Sequence, residues 1–333
     1  MLFFSILMLG LLITISSNSW LGAWMGLEIN LMSFIPIMSN SNNMFTTEAS
    51  LKYFLIQTFA SVSLLFLILS KSFLENLFSL KIYPLTTITL MAPLLMKLGA
   101  PPFHWWFPSV MEGLSWNNCF ILMTIQKLAP LSLISYFMIM NFATFMIIMT
   151  SIIIGALGGF NQISIRKMLT YSSINHIGWI LTAMSIGSNY WWMYFSIYTL
   201  LIITIISIIK PFQISLINQI LLTMKNNSIL KFLMFSSLLS LGGLPPFLGF
   251  LPKWIIIQSL TQNESYLLGI LMTVFSLITL YYYLRISYSS FLMLSLESNW
   301  NFNMNYDYIN MMIVVSMMSL LGLMMCTSLI NVL

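Results

Sequence analysis

Apolar stretches separated by polar or turn-rich breaks recur eleven times along the chain. They lie near residues 2–16, 20–38, 51–70, 84–107, 114–138, 142–160, 168–187, 190–209, 229–257, 265–286 and 309–331. At about 1.5 Å of rise per residue, helices of this length suit a hydrocarbon layer roughly 30 Å thick. The pattern predicts an all-α polytopic membrane protein with about eleven transmembrane helices, forming one domain over 1–333. Two stretches carry paired prolines: Pro101 and Pro102 in the fourth, Pro245 and Pro246 in the ninth, which is too long for one simple crossing. Proline removes a backbone donor and clashes with the preceding turn, and lipid cannot satisfy the carbonyls so freed. Both helices, near 84–107 and 229–257, are therefore expected to be discontinuous and enclosed by protein.

Composition agrees with this pattern and removes most other classes. Hydrophobic residues make up 59% of the chain and charged ones 6%, against about a quarter charged in soluble domains. The net charge is +5, but the twelve basic residues are scattered singly and form no patch for nucleic acid. Cys119 and Cys326 stand alone, without a CxxC or Cys/His cluster, so no disulfide framework, zinc site or iron-sulfur site is indicated. There is no glycine-rich phosphate loop and no nucleophile with a nearby base. The N-terminus, MLFFSILMLGLLITISSNSW, lacks a basic leader segment and an A-x-A-like cleavage site, and reads as the first span. The 28 methionines are dispersed and read as packing residues.

Basic residues orient the spans. With the N-terminus on the inner side, the inner connections collect Lys52, Arg166, Lys167, Lys210, Lys225, Lys231 and Arg285, and the outer ones only Lys71 and Lys81. That bias predicts an inner N-terminus and, with eleven spans, an outer C-terminus. Trp20, Trp24, Trp105, Trp106, Trp191 and Trp192 cluster at predicted span ends and read as interfacial anchors. The connection Ser287 to Tyr308, with Glu297 and Asp307, reads as solvated loop or interfacial helix, and Glu112 as a span-end charge.

Four charges remain inside apolar stretches: Glu28, Lys97, Lys127 and Lys253. Lys97 lies 13 residues beyond Pro84, roughly 20 Å along a helix. A charge at such depth costs several kcal/mol unless it faces protein or a wet cavity. One chemistry explains all four: amines linked by water both accept and donate protons, and Glu28 offsets part of the desolvation of a lysine whose helix it touches. The bland reading is that they hold helices together by hydrogen bonds. His104, in PPFHWW, and His176, in SSINHIGW, are further proton-carrying candidates, each with an ordinary reading as a satisfied interhelical donor. The LGAPPF of 98–103 is echoed by LGGLPPF at 241–247, aligning Gly99 with Gly242, 143 positions apart. The two fall in oppositely directed spans, as an inverted repeat with two broken helices requires.

Six ordered motifs, GLEIN (26–30), EASLKYFLIQ (48–57), MKLGAPPFHWWFP (96–108), IQKLAP (125–130), IRKMLTYSSINHIGW (165–179) and LLSLGGLPPFLGFLPKW (238–254), cover nearly the whole chain. Together they resemble the mitochondrially encoded subunit 2 family of NADH:ubiquinone oxidoreductase, antiporter-like subunits of respiratory complex I. The resemblance implies a multi-pass subunit of the mitochondrial inner membrane, one of several proton-pumping units driven by quinone chemistry in its neighbours. It implies Glu28 and Lys97 as a coupled ion pair, Lys127 as the central relay lysine, and Lys253 as the terminal lysine facing the outer exit. NADH, FMN, iron-sulfur clusters and ubiquinone would belong to partner subunits, with no cofactor and no metal in this chain. Expected partners are other membrane-arm and supernumerary subunits and bilayer lipid, including cardiolipin. Full-length members carry three further N-terminal helices, so this chain would begin at the fourth. Two other readings stand beside this one: a stand-alone cation/proton antiporter, and an assembly subunit with no proton path of its own.

Overall fold

The computed structural model describes residues 2–40, 43–78, 83–219, 228–292 and 316–317. Among them the chain forms thirteen α-helices and no strand. In order these are α1 (Leu2–Ser16), α2 (Trp20–Met38), α3 (Met44–Phe78), α4 (Tyr83–Leu98), α5 (Trp106–Gly113), α6 (Trp116–Met123), α7 (Ile125–Ser135), α8 (Phe142–Gly159), α9 (Ile165–Ile186), α10 (Ser188–Ile209), α11 (Ser228–Gly242), α12 (Phe250–Gln262) and α13 (Tyr266–Leu292). Six stretches are long and apolar enough to cross a membrane: Trp20–Met38, Met44–Phe73, Trp116–Ser135, Phe142–Gly159, Ser188–Ile209 and Tyr266–Tyr288. Leu2–Ser16, Ile88–Leu98 and Lys231–Gly242 are shorter apolar helices. Two compact units divide the chain, Met1–Ser151 and Ile152–Leu333, with α8 running across their boundary.

The polar helix of the second unit is its most enclosed. α9 holds Ser172, Ser173, Asn175 and His176, and almost its whole length is buried. A helix too polar for lipid is stable here because its polar side faces protein, where partners exist. Close approach makes that possible. A Cβ on Gly155 would lie 2.5 Å from the Asn175 backbone nitrogen, so α8 and α9 touch backbone to backbone. In the first unit a Cβ on Gly10 would lie 3.0 Å from the backbone nitrogen of Asn30, joining α1 to α2 in the same way. Gly155 and Asn175 lie 145 positions after Gly10 and Asn30.

Both expected breaks are present and share one geometry. Gly99 has φ +69° and Gly243 φ +86°, the left-handed region that favours glycine. At α4, Ala100 N donates to Leu95 O (3.0 Å) and Gly99 N to Met96 O (3.2 Å). At α11, Leu244 N donates to Leu239 O (3.4 Å) and Gly243 N to Ser240 O (3.1 Å). These are two copies of the Schellman cap, in which the residue after the helix turns left-handed and feeds the last carbonyls. The match continues through Phe103 N to Ala100 O and Phe247 N to Leu244 O, both 3.0 Å, to the restarts at Trp106 and Phe250. Backbone geometry therefore pairs Gly99 with Gly243, a step of 144. The sequence echo, which aligned Gly99 with Gly242, slips by one because the letters match better there than the conformations.

Other expectations need correction. The stretch 114–138 is not one helix: α6 ends at Met123 and α7 begins at Ile125, with Thr124 between them at φ −117°, ψ −77°. Thr124 Oγ1 donates to the Phe120 carbonyl at 2.7 Å, giving the last turn a side-chain donor. α3 extends well beyond 51–70, so Lys52 and Lys71, expected in connections, lie on the helix, Lys52 paired with Glu48 at 2.6 Å. α13 continues to Leu292, so the first part of the expected Ser287–Tyr308 connection is helical. Trp106 and Trp191 are buried rather than interfacial; the Trp106 indole donates to the Met96 carbonyl at 3.0 Å, inside the first break. Lys81, Lys225, Glu297, Asp307 and Cys326 lie outside the described residues, as does the expected span 309–331 apart from 316–317.

Candidate functional site

In the first unit, Lys97 is placed by the end of α4 and Lys127 by the restart of α7. Both are enclosed, with 7% and 2% of their surface exposed. Lys97 lines a polar cavity of about 20 Å³ with Asn30, Tyr53, Gln57, Gln126 and Pro130, room for about one water molecule. Gln57 Nε2 donates to the Lys97 carbonyl at 3.3 Å, supplying a donor that the break removes. Gln126 Nε2 donates to Asn30 Oδ1 at 3.0 Å, and the Tyr53 hydroxyl donates to Gln126 Oε1 at 3.3 Å. Lys127, next in sequence, sits with its ammonium 4.9 Å from the centroid of the Phe107 ring, a cation–π contact strengthened by exclusion of water.

Glu28 is on the neighbouring face of the same α2. It lines a groove of about 650 Å³ with Phe3, Trp24, Ser33, Thr58 and Ser61, which is otherwise largely apolar. The expected contact ion pair between Glu28 and Lys97 is not formed within 4.0 Å.

The second unit holds Lys253, 6% exposed, on the first turn of α12. Its ammonium donates to the Gly242 carbonyl, the end of α11, at 2.8 Å, and lies 5.8 Å from the centroid of the Trp179 ring. A cation at a helix C-terminus meets the negative end of the helix dipole. His176 Nδ1 is 2.8 Å from the Tyr194 hydroxyl, and its ring centroid is 5.1 Å from that of Tyr198. Tyr194, Tyr198, Tyr282 and Tyr283 are fully buried. His104, in the first break, is buried against Trp105 at a 4.7 Å centroid separation, and its Nδ1 has no hydrogen-bond partner among the described residues.

The structure thus buries Lys97 beside a polar cavity and Lys127 against the Phe107 ring in the first unit, and puts Lys253 and His176 in the second. Sequence reasoning missed Asn30, Tyr53, Gln57 and Gln126. Their signal was faint but present: Tyr53 and Gln57 are spaced i, i+4, one face of a helix, and Gln126 directly precedes Lys127.

Comparison with known proteins adds an independent line. The family profile described as NADH:quinone oxidoreductase/Mrp antiporter, TM, matches residues 17–279. NADH-ubiquinone oxidoreductase chain 2 of Anopheles gambiae is 53% identical over 309 residues, 92% of this chain and 90% of that one. The protein of the same name from Locusta migratoria is 45% identical over 98% of this chain and 96% of its own. Among solved structures, respiratory complex I from Thermus thermophilus contains a chain with a TM-score of 0.79 at 21% identity, covering 95% of this chain and 77% of that chain. A chain of the Mrp complex from Dietzia sp. DQ12-45-1b gives 0.75 at 16% identity, covering 90% of this chain and 61% of that one. At these identities the two structures speak for the fold.

Proposed function

Since the chain belongs to the NADH:quinone oxidoreductase/Mrp antiporter membrane family, among its NADH-ubiquinone oxidoreductase chain 2 members, we propose that its buried charges carry protons. The chain is a membrane-arm subunit of the proton-translocating NADH:ubiquinone oxidoreductase of the mitochondrial inner membrane. In this reading the path runs through Glu28, Lys97, Lys127 and Lys253. His104 and His176 are secondary carriers.

The observation that carries the proposal is the burial of three lysines among packed helices, Lys97 and Lys127 in the first unit and Lys253 in the second. A buried ammonium loses several kcal/mol of hydration. Lys97 and Lys253 each adjoin a helix break, where freed backbone carbonyls and water replace part of that hydration. Such an amine exchanges its proton at lower cost than one locked in a tight ion pair. Glu28, acting on Lys97 from a distance, is suited to modulate it when the separation changes. Redox chemistry elsewhere in the enzyme would change that separation and drive the proton from Lys97 through Lys127 towards Lys253.

The finer architecture follows the same reading. About eleven spans over 1–333 form one membrane domain of two inverted repeats, with the N-terminus in the matrix and the C-terminus in the intermembrane space. The chain itself holds no redox site; NADH, FMN, iron-sulfur clusters and ubiquinone are handled by partner subunits, and supernumerary subunits and cardiolipin contact its outer surface. The test is Lys97→Met in the assembled enzyme reconstituted in vesicles. Proton pumping per electron transferred falls in the variant. An unchanged ratio rejects a direct role for Lys97. Cation/proton exchange by the purified chain alone in liposomes would instead favour a stand-alone antiporter.

A further inference from the structure

Gln126 joins three elements at one point. It starts α7, takes the Tyr53 hydroxyl of α3 on Oε1, gives Nε2–H to Asn30 of α2, and lines the cavity of Lys97. Its chain neighbour Lys127 faces Phe107, because successive residues of an α-helix are turned by about 100°. The two side chains therefore leave one turn in different directions, with Lys97 on the glutamine's side.

An amide has two donor hydrogens and an acceptor oxygen with two lone pairs. Tyr53 holds one end of the amide and Asn30 the other, using one hydrogen-bonding site at each. One N–H and one lone pair remain for the cavity. Pro130 lines the same cavity and has no N–H to offer the Gln126 backbone carbonyl four residues earlier. A water molecule there meets the Lys97 ammonium and a fixed donor–acceptor pair, enough partners to hold it. The other repeat shows what the glutamine adds. Asn175 stands where Asn30 does, 145 positions later, but the matching stretch of α13 around Ile270 and Leu271 is apolar. Asn175 Oδ1 is buried with no hydrogen-bond partner among the described residues.

Resting on the relay reading above, we infer that Gln126 is a positioning residue for proton transfer between Lys97 and Lys127: its locked amide orients the water of the Lys97 cavity. The amide neither gains nor loses a proton. It sets the direction in which the water accepts one from Lys97 and donates one onward. The break at Thr124 acts with it, because it brings Gln126 and Lys127 onto α7 at their observed angles.

The test uses the assembled enzyme in vesicles and compares Gln126→Leu, Lys97→Met and the double variant. Gln126→Leu is expected to slow proton pumping on the order of tenfold, the cost of a misplaced proton partner. In the Lys97→Met background it should change the remaining rate by less than about twofold, since both act on one step. Independent, additive losses overturn the inference. Wild-type pumping by Gln126→Leu with loss in Lys97→Met overturns it and leaves the relay standing, whereas wild-type pumping by Lys97→Met sinks the relay itself. If Gln126→Leu does not assemble, Tyr53→Phe removes only the donor hydroxyl and keeps the ring contacts with Phe34 and Trp106; pumping as in wild type overturns the inference. Gln126→Glu supplies a pH signature. Its neutral acid retains one donor and one acceptor among Asn30, Tyr53, Lys97 and Lys127, so pumping persists at acid pH and is lost as pH rises. A profile identical to wild type overturns the inference.

Discussion

At the scale of single residues, the informative contrast is between lysines that look alike in sequence. Lys253 donates to the Gly242 carbonyl and so joins α12 to the end of α11. Lys97 lines a wet-sized cavity, and Lys127 rests on an aromatic face. Lys253 thus has a structural duty as well as its proposed chemical one, and the two separate experimentally. Lys253→Gln keeps a neutral donor for the carbonyl. We expect assembly near wild type on native gels, with proton transport lost. Lys253→Met leaves a buried carbonyl unsatisfied, a cost of about 1–3 kcal/mol, so assembly should fall as well. Equal pumping in Lys253→Gln and wild type would reduce this lysine to a helix link. The four charges were legible in the sequence because any charge in an apolar run is conspicuous. The polar shell was not. Gln126 meets Asn30 and Tyr53 across 96 and 73 positions, and nothing local marks a glutamine that will find such partners.

At the scale of elements, the two broken helices were readable from their proline pairs, since proline ends a helix whatever surrounds it. The break at Thr124 was not, because no glycine or proline marks it. The register of the echo was read one residue off, and that difference is testable. Gly243 has positive φ, and a Cβ there would approach the Lys253 side chain to 3.1 Å; Gly242 has neither burden, its nearest contact being 3.5 Å. Gly243→Ala should therefore cost about 1–2 kcal/mol in backbone strain alone, seen as a lower temperature of inactivation of the assembled enzyme. Gly242→Ala should be nearly silent. The reverse order would show that the residue pairing across the breaks is wrong. Two of the six expected tryptophan anchors, Trp106 and Trp191, are buried, whereas Trp105 and Trp192 are exposed. Trp106 and Trp191 sit near helix starts, yet one serves the break and both are covered by neighbouring helices.

At the scale of the molecule, helix starts recur at a step of 144 or 145 from α2 and α9 to α5 and α12. The repeat is more regular in backbone than in letters. Glu28 has no acidic counterpart, since the equivalent place in α9 is Ser173, buried and bonded to the Thr170 carbonyl. The two halves therefore share a frame and differ in chemistry: a carboxylate stands on α2 in one, and a lysine is held at a helix end in the other. Composition and helical class were legible, because the bilayer leaves few alternatives. The central claim is that Glu28, Lys97, Lys127 and Lys253 act in series. Its most direct test is protons translocated per electron pair, measured on the assembled enzyme in sealed vesicles carrying Glu28→Gln, Lys97→Met, Lys127→Met or Lys253→Gln. A path in series predicts the same lowered ratio for each variant, with no further loss in any double. The wild-type ratio in all four, at normal assembly, would contradict it.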